Sequence, residues 1–402
     1  MASVDELTRQ LQSGSSKERH QAAELLGQLG DSQAVPALLK TLDDDEEDTE
    51  VRIAAAHSIG QIGDLNTIQG LLSTYEICPV KLHKSIFEAI GKILGRTSAN
   101  DDESREIYSR AVDTLIQAVQ NHKATEEARA AAADALGKTR DSNAIPALTE
   151  QLHEYKPIEV AKAAARALRN FDDPQVIHAL AKTATNQKIM GYVRGVAVES
   201  LGDIGNPQAV DTLISILEDQ SVDDSVRAEA ARALGRIGDP KAIEPLIRIL
   251  KSDSERSFLR KPIADALGAF RDPRATDALV EALGCNYYIA RAAADSLKKL
   301  RDRRAVEPLV RLLNEESHHF THQRDFAVQI LGVLGDPRGI PALAKALRDK
   351  NKDIRNSARK SLQQFVLTHP DAILRMSPDE RNLLERLIQD AQHEELSQEI
   401  CK

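Results

Sequence analysis

Across 402 residues, 53 Lys and Arg stand against 62 Asp and Glu, a formal charge of −9. The basic residues are spread through the chain rather than massed in a tract, which excludes the concentrated positive face that nucleic acid draws on. Trp is absent, aromatics make up 3% and charged residues 29%, with Ala and Leu dominant, as in chains of many helices packed through small aliphatic side chains. No long apolar run occurs, the opening MASVDELTRQLQ is acidic and amphipathic, and Cys78, Cys285 and Cys401 are lone thiols. A membrane span, a targeting leader, a disulfide framework and a cysteine-only zinc site are therefore not expected, and the natural compartment is the cytoplasm.

Turn signals recur along the chain as Gly30-Asp31, Gly63-Asp64, Arg140-Asp141, Asp172-Asp173, Gly205-Asn206, Gly238-Asp239, Arg271-Asp272, Arg301-Asp302 and Gly335-Asp336, at spacings near 33 residues. The exception is the 77-residue gap from Asp64 to Asp141, two repeats plus an insertion of 11 that the polar segment Thr97–Ser104 supplies. Two helical stretches per period predict an all-α solenoid of about eleven helical-hairpin repeats. Pro36, Pro146, Pro245, Pro308 and Pro341 mark the first turn of a first helix, where the missing amide has no partner to lose. Pro174, Pro240, Pro273 and Pro337 follow Asp and stop the helix before them.

The second helix of each unit follows a pattern such as Val226-Arg-Ala-Glu-Ala-Ala-Arg-Ala-Leu-Gly235, whose small residues recur every three or four positions and allow close stacking of layers. The expected organisation is a repeat array over 1–376, with a loop insertion near 97–104, and a capping helix and tail over 377–402. The units near 66–95 and after Phe365 match the pattern poorly.

The consensus VRxxAAxALGxIGDPxAIxPL resembles the HEAT-like repeat of phycobilin lyases, and Cys285-Asn-Tyr-Tyr-Ile289 resembles a Tyr-Tyr unit of that family. The resemblance implies a HEAT-like fold and either a subunit of a heteromeric phycobilin lyase or isomerase, attaching bilin to phycobiliprotein cysteines, or a scaffold. A long, nearly pure array also resembles cyanobacterial HEAT proteins that bind an A-type iron–sulfur carrier. Only two His-Glu dipeptides occur, His153-Glu154 and His393-Glu394, so the chain does not fit the HEAT-repeat di-iron hydroxylases, and it lacks the basic aromatic groove of the HEAT-like base glycosylases.

A basic residue stands eight positions before the terminal Gly, or its equivalent, in ten units: Arg19, Arg52, Arg129, Lys162, Arg194, Arg227, Arg260, Arg291, Arg324 and Arg355. Mutual satisfaction predicts a ladder of Arg to turn-Asp hydrogen bonds between layers. Asp43–Glu50 reads as a solvated acidic loop. His318, His319 and His322 cluster with Glu315 and Glu316, a partner-contact candidate more than a metal site, since a third or fourth ligand in defined geometry is not visible.

Residues three before the terminal Gly vary from Glu24 and His57 through Asp134, Glu199 and Arg232 to Asp265 and Gln329, as on a surface tuned for one ligand. With Cys285, Tyr287, Tyr288 and Cys401 these are the candidate partner-binding residues. The expected function is a non-catalytic protein-binding scaffold or assembly chaperone, with a protein partner in a concave groove lined by second helices. No catalytic residues, metal, membrane or nucleic acid are expected. No cofactor is expected either, and a bilin or iron–sulfur cluster would be held only through the partner.

Overall fold

The computed structural model describes residues 3–97, 101–252, 257–314 and 321–368, with Arg381, Asn382 and Arg386. Among the described residues up to Thr368, twenty-two helices form eleven hairpins, each an A helix followed by a B helix, and the described residues contain no strand. The chain divides into two compact units, Met1–Ala209 and Val210–Lys402. The first holds α1 (Val4–Ser13) with α2 (Ser16–Leu29), α3 (Val35–Asp43) with α4 (Thr49–Ile62), α5 (Thr67–Ile77) with α6 (His83–Leu94), α7 (Asp102–Gln120) with α8 (Glu126–Thr139), α9 (Ala144–Glu150) with α10 (Ile158–Leu168), and α11 (Pro174–Thr185) with α12 (Gly191–Ile204). The second holds α13 (Val210–Glu218) with α14 (Asp224–Ile237), α15 (Ile243–Lys251) with α16 (Ser257–Phe270), α17 (Thr276–Ala282) with α18 (Tyr287–Leu300), α19 (Val306–Asn314) with α20 (Thr321–Leu334), and α21 (Ile340–Ala346) with α22 (Lys352–Thr368). The poorly matching third unit is thus a full hairpin. The eleven extra residues after Thr97 go largely into α7, which begins at Asp102, inside the segment expected to be loop, and runs 19 residues. The capping-helix expectation falls almost wholly outside the described residues.

Within each unit successive B helices stack on one another, and the terminal Gly of the consensus is where they meet. A Cβ added at Gly91 would lie 2.6 Å from Ala135 Cβ of the next B helix, and one at Gly268 would lie 2.9 Å from Ser296 Cα. The small residue two positions before the terminal site receives that glycine. Where it is serine, it ties the layers together: Ser58, Ser200 and Ser296 each donate Oγ–H to a carbonyl of the preceding B helix, Ala23, Ala165 and Ala264, at 2.8 Å.

Most turn aspartates accept a hydrogen bond from the backbone two residues on, as Asp239 does from Lys241 N–H at 2.9 Å, and those at Asp31, Asp239, Asp272, Asp302 and Asp336 start a short 3-10 turn that leads into the next A helix, whereas Asp64 accepts from Thr67 N–H. The residue before it closes the B helix in the left-handed region: Gly30, Gly205, Gly238 and Gly335, but also Arg140, Arg271 and Arg301, with φ near +50°. Glycine adopts that conformation without strain, and arginine does not.

At four of the ladder positions another contact replaces the expected Arg to turn-Asp hydrogen bond. Arg52, Arg129, Arg227 and Arg260 instead donate Nε–H to the carbonyl ten residues back, Leu42, Val119, Leu217 and Leu250, at 2.8–3.0 Å. Each guanidinium thereby caps the C-terminus of its own A helix, where carbonyls lack helical partners. Arg19 takes the Gly14 carbonyl and pairs with Glu47, and Arg324 pairs with Asp349. In repeats five and nine the position belongs to buried Ala161 and Ala290, while Lys162 and Arg291 fall one residue later, about 100° around the helix.

The acidic run of repeat two is also more engaged than a solvated loop. Glu47 binds Arg19 at 2.6 Å, Asp45 lies 3.4 Å from Arg52, Asp43 accepts from Thr74, and Asp48 caps α4.

Candidate partner-binding surface

Stacking leaves one stripe of the B helices facing solvent, the positions three, seven and ten before the terminal site, except in α14, where Ala228 at the second of these is buried. In the first unit the row three before it reads Glu24, His57, Glu88, Asp134, Arg166 and Glu199, all exposed or half-exposed. Two pairs join consecutive repeats, His57 Nε2 to Glu88 at 3.0 Å and Arg166 to Asp134 at 3.8 Å. The His57 hydrogen bond holds the Glu88 carboxyl below the usual range, whereas burial pushes Asp134 up despite Arg166 beside it. In the second unit Arg232 pairs within its own helix with Glu229 at 2.9 Å and Asp265 with Lys261 at 2.8 Å, while Gln329 accepts from Lys298 at 2.8 Å and donates to Asp325.

Four of the remaining candidates meet at repeat nine. The turn Leu283–Asn286 presents Cys285, and Tyr287 and Tyr288 open α18. His322 of α20 donates Nε2–H to the Cys285 carbonyl at 3.2 Å, which fixes the turn against the next repeat. Tyr287 packs between His322 and Phe326, with ring centroids at 6.1 and 5.8 Å, and lies edge-on to Tyr288 at 5.9 Å. Beside them is an open cleft of about 510 Å³ lined by Lys251, Arg260, Glu281, Cys285, Asn286 and Ile289. His318, His319 and Cys401 lie outside the described residues. Among the described residues, no three His, Cys, Asp or Glu side chains converge to hold a metal ion. Cys78 is unlike Cys285 in position, since it closes α5, and burial pushes its thiol up to about 11, out of the reactive range at neutral pH.

The motif reading missed where the few aromatics go. Tyr155, Tyr192, Phe258, Tyr287 and Tyr288 are 95, 79, 59, 48 and 71% exposed, and all stand in an A–B connection or the first turn of a B helix. The signal was present as aromatic residues at positions where most units carry polar ones, in a chain that has only 6 Tyr and 7 Phe. It shows only when units are aligned on the terminal Gly.

HEAT repeats are matched over residues 4–91, 112–191, 145–224, 190–263, 219–285 and 284–363, so the chain belongs to the HEAT-repeat family. No curated protein matches the sequence. Among solved structures, Kap95p in its complex with RanGDP is similar with a TM-score of 0.62 at 13% identity, over 94% of this chain and 56% of that one. Kap121p bound to Pho4p gives 0.56 at 13%, over 91% of this chain and 45% of that one. The complex of CpcE and CpcF of phycocyanin lyase from Nostoc sp. PCC7120 gives 0.37 at 22%, over 67% and 95%. This chain spans about half the length of the Kap chains, and identities this low establish a shared fold alone. No helix among the described residues is long and apolar enough to cross a membrane.

Proposed function

We propose that the chain is a non-catalytic protein-binding scaffold or assembly chaperone that holds a protein partner along the solvent face of its B helices. The observation that carries this reading is a contrast inside each B helix. Positions that stack repeat as Ala, Ser and Gly, whereas the row from Glu24 to Gln329 changes identity at nearly every repeat and is nowhere fully buried. Packing demands the first pattern, and recognition of a single non-repeating partner is served by the second. The process we assign it to is iron–sulfur or pigment-protein biogenesis, on the strength of the repeat consensus and the long pure array, with any cluster or bilin carried by the partner.

The test is affinity capture on the full chain beside a variant carrying Glu24→Arg and Glu199→Arg, both exposed positions. Capture of a stoichiometric protein by the wild type that the variant loses, with helical content unchanged, is the expected result. Recovery of no partner would overturn the reading.

A second reading, a subunit of a heteromeric phycobilin lyase or isomerase, is favoured by one observation, the Tyr287, Tyr288, His322 and Phe326 cluster beside the Cys285 cleft. It predicts that the chain promotes attachment of bilin to a phycobiliprotein cysteine, read from the absorbance of the product.

A further inference from the structure

Resting on the scaffold reading, we propose that the α18 face of repeat nine docks an acidic, apolar-bearing segment of a protein partner, with Tyr288 and Tyr287 as the apolar anchor and Arg291 as the carboxylate contact.

Of the ten basic residues read as one ladder, Arg291 alone is exposed, and among the described residues it has no hydrogen bond or ion pair. Two local facts release it. Its register is one residue late, so it points away from the A helix. The carbonyl ten residues back, Glu281, is already taken by Gly284 N–H at 3.0 Å in the tight turn after α17. Tyr287 and Tyr288 stand four and three residues before Arg291, on one face of α18. Tyr287 is braced by Phe326 and His322 and so loses little entropy on binding, while Tyr288 is free to be covered. Tyr and Arg are the side chains that dominate interface energies when buried by a partner.

Charge decides the occupant. The surrounding lysines are already matched: Lys251 with Glu281 at 2.8 Å, Lys261 with Asp265 at 2.8 Å and Lys298 with Asp295 at 3.7 Å. On α20 Asp325 accepts from Gln329 at 2.9 Å. Among the described residues Arg291 and Arg260 have no carboxylate partner, and the second of these lines the cleft and gives its Nε–H to Leu250. Two cations on adjacent repeats suit one or two carboxylates beside an apolar side chain. A nucleic-acid strand would need a track of free cations along its phosphates.

The experiment titrates the full-length protein against short fluorescein-labelled peptides and follows anisotropy. One peptide is Glu-rich around a Phe-Leu pair, a second replaces Phe-Leu by Ala-Ala, and a third replaces every Glu by Lys. A thymidine oligonucleotide of equal charge is the fourth probe. The first peptide is expected to bind tightest and to slow iodoacetamide labelling of Cys285. Arg291→Glu and Tyr288→Ala are each expected to weaken it by about tenfold, and Arg271→Glu, an exposed arginine on a turn, to leave it unchanged. Equal or tighter binding of the Lys peptide or the oligonucleotide, no saturable binding, or affinity untouched by both face variants overturns the proposal. If the captured partner of the wild type is also held by Arg291→Glu and Tyr288→Ala, this face is wrong and the scaffold reading stands. Capture of no partner sinks the scaffold reading itself.

Discussion

Repeats seven and nine open their B helices with nearly the same word, Val226-Arg-Ala and Ala290-Arg-Ala, yet the two arginines do opposite things. Arg227 is buried and gives Nε–H to the Leu217 carbonyl at 2.9 Å, so its charge ends an A helix. Arg291 is exposed and has no hydrogen bond or ion pair among the described residues. The difference is one residue of register against the stacking position, Gly235 in one helix and Lys298 in the other, which turns the side chain by about 100°. The comparison shows that in a repeat array a residue's role is set by its distance from the point where layers touch, not by its neighbours in the local word.

The strongest way to break that comparison is to attack the stacking point itself. Gly268→Leu would drive a side chain into the Ser296 backbone and should destabilise the α16–α18 layer by about 3 kcal/mol, seen as accelerated amide exchange in both helices. Next in size, Arg227→Ala should cost about 2 kcal/mol by leaving the Leu217 carbonyl uncapped, while Arg291→Ala should stay within about 0.5 kcal/mol. Equal costs in thermal and urea unfolding would show the register argument to be wrong.

Two smaller effects sharpen it. Gly195 sits in the outward row of α12, where a Cβ would meet nothing within 4 Å, so Gly195→Ala should stabilise by about 0.5–1 kcal/mol, opposite in sign to the stacking glycines. Arg301→Gly should gain a similar ~0.5–1 kcal/mol by relieving a left-handed arginine at φ 51°.

The smallest effect concerns acid. The side-chain hydrogen bond from Arg338 holds the Asp336 carboxyl below the ordinary aspartate range, aided by the Arg338 backbone N–H. A depressed folded value means that this stabilisation is complete above the unfolded pKa of about 4 and is lost as pH falls through the folded value. Asp336→Asn, which keeps a cap of the kind Asn206 already makes but gives up the carboxylate–Arg338 contact, should flatten the stability profile below about pH 4 and lower stability at neutrality slightly, toward that of the acid form.

The fold was legible because it rests on periodic quantities. The 33-residue spacing, the proline at helix starts, the turn aspartates and the Ala-rich B helices each follow from local backbone needs or from the small side chains that stacking requires. The candidate surface was legible in part. Cys285, Tyr287, Tyr288 and His322, read separately, do meet, because a 34-residue offset from Tyr288 to His322 is one repeat and brings them into adjacent layers. Phe326 was not read as a member, since a phenylalanine inside an apolar helix face looks like ordinary core.

By itself the sequence determined the all-α repeat architecture, its eleven hairpins and the residues at its turns, since each depends on contacts within one repeat or between identical ones. Only the tertiary structure decided which basic residues cap helices and which stand exposed, that the insertion after Thr97 lengthens α7, and that four of the six tyrosines stand exposed at or just before the starts of B helices. Those outcomes turn on a rotation of about 100° per residue and on which carbonyls a neighbouring turn has already satisfied, quantities that exist only once the layers are in contact.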